Sequence, residues 1–174
     1  MFAIPDPLHP AIVHLPIALA LLAPFVALLG AFAIAREWLP ARVWIGVVLM
    51  QALLAGSAWV AEETGHEQEE RVEKIVAKEE IHEHEEAGER LVVLSFISLV
   101  VSAVGLLSGS KGGYGRAASV VMGVVLLGAA AATGHSGGAL VYEHGAAQAY
   151  VKGSAAATTP ASSPAPAQAE DGTD

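Results

Sequence analysis

Four stretches of the chain are apolar on every helical face: about residues 12–34, 43–61, 91–110 and 117–133. None contains Asp, Glu, Lys or Arg except at its margins. A helix needs roughly 20 apolar residues, with a lower limit of about 17, to cross the hydrocarbon core of a bilayer. Soluble helices show a polar face at a period of 3.6, and these show none. The pattern therefore predicts four membrane spans. The first is read as a span rather than a cleaved signal, because no basic residue precedes it and it is too long for a signal core.

The connections give the arrangement. Spans one and two are joined by a short piece with Arg36, Glu37, Pro40 and Arg42, and spans three and four by Ser108–Gly113, read as a flexible turn, followed by Arg116. Both linkers are net positive. Lys and Arg favour cytoplasmic loops, so the two linkers are expected inside, and the N-terminus, the 62–90 segment and the C-terminus outside. Twelve of the eighteen acidic residues lie between Glu62 and Glu89, against four basic residues up to Arg90. This segment has no proline and carries Val72, Ile75 and Val76 at helical spacing. It is expected to carry spans two and three beyond the membrane as a helical hairpin or crossing helix. The fold class is all-α: an integral membrane four-helix bundle with an acidic extramembrane helical insert. Residues 1–153 form the membrane domain, and the Ala/Pro/Ser/Thr-rich 154–174 tail cannot bury a core and is expected to be disordered.

Composition changes the picture in two ways. Of 174 residues 53% are hydrophobic and 16% charged, too apolar and charge-poor for an ordinary soluble domain. With no basic stripe, nucleic-acid binding is excluded as a working function. The absence of cysteine removes disulfides, thiolate metal sites, iron–sulfur clusters and covalent haem attachment.

Seven histidines remain: His9, His14, His66, His82, His84, His135 and His144. In an up-down-up-down bundle the starts of spans one and three meet the ends of spans two and four. All seven then gather at one end. His14 and His135 are embedded in apolar or Gly-rich sequence near the membrane, where an ionisable group is costly and usually functional. His66, His82 and His84 stand among glutamates and are individually compatible with a solvated surface; His9 suits an interfacial position and His144 an external loop.

Neutral imidazole is a good axial ligand for haem iron, and spans two and four carry small residues that admit a macrocycle or, equally, close helix packing. The leading expectation is one or two bis-His haem b groups in a subunit that relays electrons at the outer face. Diagonal helices supply the ligands, with His14 and His84 as the first pair. His135 with His9 or His144 would hold a second haem or support the first. The competing chemistry is a non-haem iron, copper or zinc site. Glu63-Thr64-Gly65-His66 and Glu79-Glu80-Ile81-His82 both have the Glu-x-x-His spacing of carboxylate-bridged di-iron bundles, which makes Glu63, His66, Glu79, Glu80 and His82 candidates. A third class is a cofactor-free structural subunit of a larger membrane complex. No nucleophile elbow, phosphate loop or His-Glu-x-x-His motif is present.

Leu8-His9-Pro10-Ala11-Ile12-Val13-His14-Leu15-Pro16-Ile17-Ala18-Leu19 and Gly134-His135-Ser136-Gly137-Gly138-Ala139-Leu140-Val141-Tyr142-Glu143-His144-Gly145 resemble the two signatures of a bacterial family of four-span inner-membrane proteins of unknown function. Leu15 stands where the family usually has Phe, and His84-Glu85 resembles a third family position. The resemblance covers residues 7–145. It implies the four-span architecture, an inner-membrane location, and partnership with lipid and with redox proteins or subunits of a larger complex. An electron-transfer or accessory subunit is then expected rather than a stand-alone enzyme. Within the second signature, Gly137 and Gly138 are expected to adopt positive φ just after span four. The chain would fold back there, letting Tyr142 and His144 cap a cofactor.

Overall fold

A computed structural model describes residues 7–151, and the 154–174 tail lies outside the described residues. A short helix α1 (His9–Ile12) leads through Val13 into α2 (His14–Ala35). A turn through Glu37, at φ 59°, and a 3₁₀ segment Ala41–Trp44 lead into α3 (Ile45–Val72). Helices α4 (Lys78–Val104) and α5 (Gly109–Tyr142) follow, and a last 3₁₀ turn covers Ala146–Tyr150. The described chain is helical throughout, with four helices long and apolar enough to cross a membrane.

Short connections make consecutive helices antiparallel neighbours, and α5 closes the bundle against α2. Helices α2 and α4 are therefore diagonal, as are α3 and α5. Helix α3 has 28 residues and α4 has 27. At 1.5 Å per residue each runs about 40 Å, some 10 Å more than the hydrocarbon core. The excess is the acidic hairpin.

Helix packing is inverted relative to a soluble protein. Leu22, Phe25, Leu29, Trp59, Val100 and Val121 point outward and are exposed, as lipid-facing side chains should be. Small residues point inward: Pro16, Ala20, Ala23, Pro24 and Ala27 on α2, and Gly112, Gly115, Ser119, Gly123 and Ala130 on α5. In lipid, where apolar burial does not drive helix association, close backbone approach supplies the attraction. At Gly123 the approach is direct, because a Cβ there would lie 2.8 Å from the Pro24 backbone. Midway along the bundle Leu54, Leu91 and Leu126 meet Ala20, Ala23 and Ala130 in one apolar layer. Nearer the short linkers, Trp44 packs with Ala27 and Val47 and donates its indole N–H to the Ser102 carbonyl at 2.9 Å.

Two expectations about the backbone are corrected. Ser108–Gly113 is not a flexible turn: α5 already begins at Gly109, and the chain turns over residues 105–108. Gly137 and Gly138 do not form a positive-φ turn either, since α5 runs on to Tyr142. Among the described glycines only Gly109 and Gly145 have positive φ. At the membrane edge the helix keeps its backbone groups bonded by continuing, and the reversal comes at Gly145, with φ 73°. Beyond it the chain folds back over the bundle mouth, where Ala146 packs with Val76, Ile81 and Leu140.

Candidate metal centre at the mouth of the bundle

His9 sits at the start of α1, and its place on the inner face follows from spacing. Pro16, Ala20, Ala23 and Ala27 form an inward stripe at intervals of four, three and four residues. His9 precedes Pro16 by seven residues, two helical turns, so it continues that stripe. His14 precedes Pro16 by two and falls on the opposite face, where it is exposed. On α4 the inward stripe Leu91, Ser95, Ser98, Ser102 extends back through Gly88 to His84.

The two stripes bring His9 and His84 together across the bundle diagonal. Their ring centroids lie 6.2 Å apart with the planes at 85°. His9 Nδ1 is 2.7 Å from the Ala61 carbonyl of α3. A carbonyl only accepts, so Nδ1 carries the proton and Nε2 keeps its lone pair. His84 Nδ1 is 2.9 Å from Ser136 Oγ of α5. The Ser136 hydroxyl gives its own proton to the Thr133 carbonyl at 3.1 Å. With that proton on the Thr133 carbonyl, Ser136 Oγ accepts from His84 Nδ1, and His84 Nε2 also keeps its lone pair. Thr133 in turn donates to the Ala87 carbonyl at 3.0 Å, tying α5 to α4 beside the site.

Glycines make room for both rings. A Cβ at Gly65 would stand 3.2 Å from His9 Cε1, and one at Gly137 would stand 2.9 Å from His84 Cε1. Gly137 thus serves close packing inside a helix. Gly138 is different, because a Cβ there would meet nothing within 4 Å.

The remaining candidates lie apart from the pair. His14, His66, His82 and His135 are exposed. His144 Nε2 faces Glu80 Oε2 at 3.3 Å, beside the fold-back segment. His82 lies 3.8 Å from Glu85 and 3.4 Å from Glu86. Tyr142 is 89% exposed. The structure joins His84 to His9, and not to His14, as the diagonal pair. Glu63 and Glu79 are exposed, and no group of three or more His, Asp or Glu capable of holding a metal ion occurs among the described residues. Sequence reading named His9 and His84 but not Gly65, Thr133 or Ser136. The small-residue stripes could have selected His9 over His14, whereas the Ser136 role depends on a tertiary contact.

The donor set discriminates between metals. A bare zinc ion wants four ligands, usually three or four from protein, and two imidazoles fall short. Haem iron brings four equatorial nitrogens and asks the protein for two axial ligands. Two imidazoles match that number of protein ligands.

No curated protein and no solved structure matches the chain. The family described as predicted membrane protein (DUF2231) matches residues 5–149. The chain belongs to this family of multi-pass membrane proteins, DUF2231.

Proposed function

We propose that this protein is a haem b-binding membrane subunit in which His9 and His84 are the axial ligands, and that it passes electrons at the acidic end of the bundle. The observation that carries the reading is the imidazole pair itself. The two rings stand close across the bundle diagonal, each with an uncommitted Nε2 that would be free to hold haem iron. Their centroids are 6.2 Å apart. Anchoring each Nδ1–H on an oxygen is the support that metal-ligating histidines need, since it fixes tautomer and ring orientation. Haem would supply a one-electron couple, and the chain would supply the two imidazoles, with glycines beside both rings.

Purified protein should show a Soret band and, on reduction, the α band of low-spin bis-His haem. His9→Ala and His84→Ala should each abolish both features, while His66→Ala and His82→Ala leave them. Preparations made with ample haem supply that stay colourless would sink the proposal. The net-positive linkers support a topology with the histidine end on the outer side of a bacterial inner membrane. An impermeant thiol reagent should then label Gln68→Cys and spare Ser110→Cys in intact cells.

A further inference from the structure

A second polar layer lies on the linker side of the leucine layer, and its groups are unpaired. Gln51 of α3 is 0% exposed, and neither its Oε1 nor its Nε2 has a hydrogen-bond partner. Ser98 and Ser102 of α4 are also 0% exposed, with both hydroxyls unpaired. Their neighbours Ser95 and Ser119 donate to the carbonyls of Leu91 and Gly115, as helical serines commonly do.

The register strings these groups along about two helical turns of the α3–α4 seam. Trp44 is bonded to the Ser102 carbonyl, and α3 and α4 run antiparallel from there. Gln51, two turns beyond Trp44, comes level with the Ser95–Ser98 turn. On the far side Gly123 packs on Pro24. Pro24 has no N–H, so the carbonyl of Ala20, one turn earlier, loses its ordinary helical donor.

We propose that this layer binds water: one or two molecules held between Gln51, Ser98 and Ser102, deep in the membrane. An unpaired buried amide or hydroxyl costs roughly 1–3 kcal/mol, and four such atoms lie within this layer. A buried water typically makes about three hydrogen bonds to groups of this kind. The donor set selects against ions. It holds no carboxylate, and the Gln51 NH₂ presents donors that repel a cation. The positive charge toward the linker end, Arg116, is already bonded to the Gly105 carbonyl at 2.7 Å. Uncharged groups that offer both donors and acceptors select a small neutral molecule that carries both. This inference does not depend on haem.

The reporter is the Gln51 side-chain amide, one of four glutamines in a chain without asparagine. With glutamine-¹⁵N-labelled full-length protein in lipid nanodiscs, Gln51→Leu identifies the Gln51 NH₂ signals by their loss. In the wild type these signals should show dipolar cross-peaks at the water frequency, separable by sign from chemical exchange. In the folded Ser98→Ala/Ser102→Ala variant those cross-peaks should vanish while the amide signals remain. If the wild-type amide shows contacts only to Ser98 or Ser102 protons and none to water, the layer is a dry interhelical bond and the proposal fails. Water cross-peaks that persist in the double variant overturn the site as assigned. Should that variant not fold, Ser98→Ala and Ser102→Ala are read singly against the same criterion.

Discussion

The bundle has a part-buried polar layer at its mouth and a fully buried one on the linker side, separated by the leucine layer. At the mouth every named polar atom has an assignment: His9 to Ala61, His84 to Ser136, and Ser136 and Thr133 to carbonyls. Only the two Nε2 lone pairs are held in reserve. On the linker side Gln51, Ser98 and Ser102 have no assignment. Orientation fixed in advance, with one valence left over per ring, suits a ligand that must meet a metal at a set distance. Groups left wholly unassigned suit a small guest that can adapt to them. The two layers should therefore respond to different substitutions.

The largest effect is expected at Gly137. Any Cβ there would lie 2.9 Å from His84 Cε1, and the branched side chain of Gly137→Val would drive the imidazole off the Ser136 anchor. Haem per mole of folded protein should fall at least tenfold. Gln51→Leu, in the other layer, should leave it unchanged. Equal losses in the two variants would mean that the layers are not independent, since distant sites without shared partners normally act additively.

A smaller loss is expected from Ser136→Ala. It removes the acceptor for His84 Nδ1–H and leaves the ring in place, without adding bulk. Support of this kind commonly contributes about 10–100-fold in metal affinity, and the lower end suits a site where the Thr133 carbonyl lies close by. Haem titration should show weaker binding with the low-spin spectrum retained. Unchanged affinity would mean that Ser136 only caps its own helix.

Much of this was legible in the sequence, and what was not has a physical reason. The four spans follow from all-round hydropathy, which only lipid tolerates. The acidic hairpin follows from a proline-free, Glu-rich segment with Val72, Ile75 and Val76 at helical spacing. The end of α5 was misread because Gly134–Gly138 looks like a helix breaker. In water it would be one, but at a membrane edge an unbonded backbone costs more than glycine's flexibility, so the helix continues. The diagonal between the first and third spans was legible, yet His14 was preferred to His9 for its apolar surroundings. Apolar surroundings mark depth along a helix but say nothing of its face. The inward face is written in the small residues Pro16, Ala20, Ala23 and Ala27, and it passes through His9.

Gly138→Ala tests that reading of α5 with a small effect of opposite sign. The residue is helical, and its Cβ would meet nothing within 4 Å. Replacing glycine by alanine inside a helix contributes about 0.5–1 kcal/mol. The thermal midpoint should rise by a few degrees with haem content unchanged. A fall in either would restore Gly138 to the turn that the sequence suggested.

The smallest effect is expected where sequence reading placed a ligand. His14 lies on the outward face of α2, two residues from Pro16 and about 200° around the helix from it. For His14 to replace His9 opposite His84, the first helix would have to rotate by more than a third of a turn. That rotation would bury Leu21, Phe25 and Leu28, now exposed, and turn Ala20 and Ala23 out of the apolar layer. The close contact of Pro24 with Gly123 opposes it as well, because a turned helix would bring a bulkier side chain against α5. His14→Ala should therefore leave the Soret and α bands within error of the wild type, and His135→Ala, also at an exposed position, should do the same. The measurement is decisive alongside His9→Ala: loss in His14→Ala with retention in His9→Ala would require the first helix to present its other face, and the whole inward stripe would have to be redrawn.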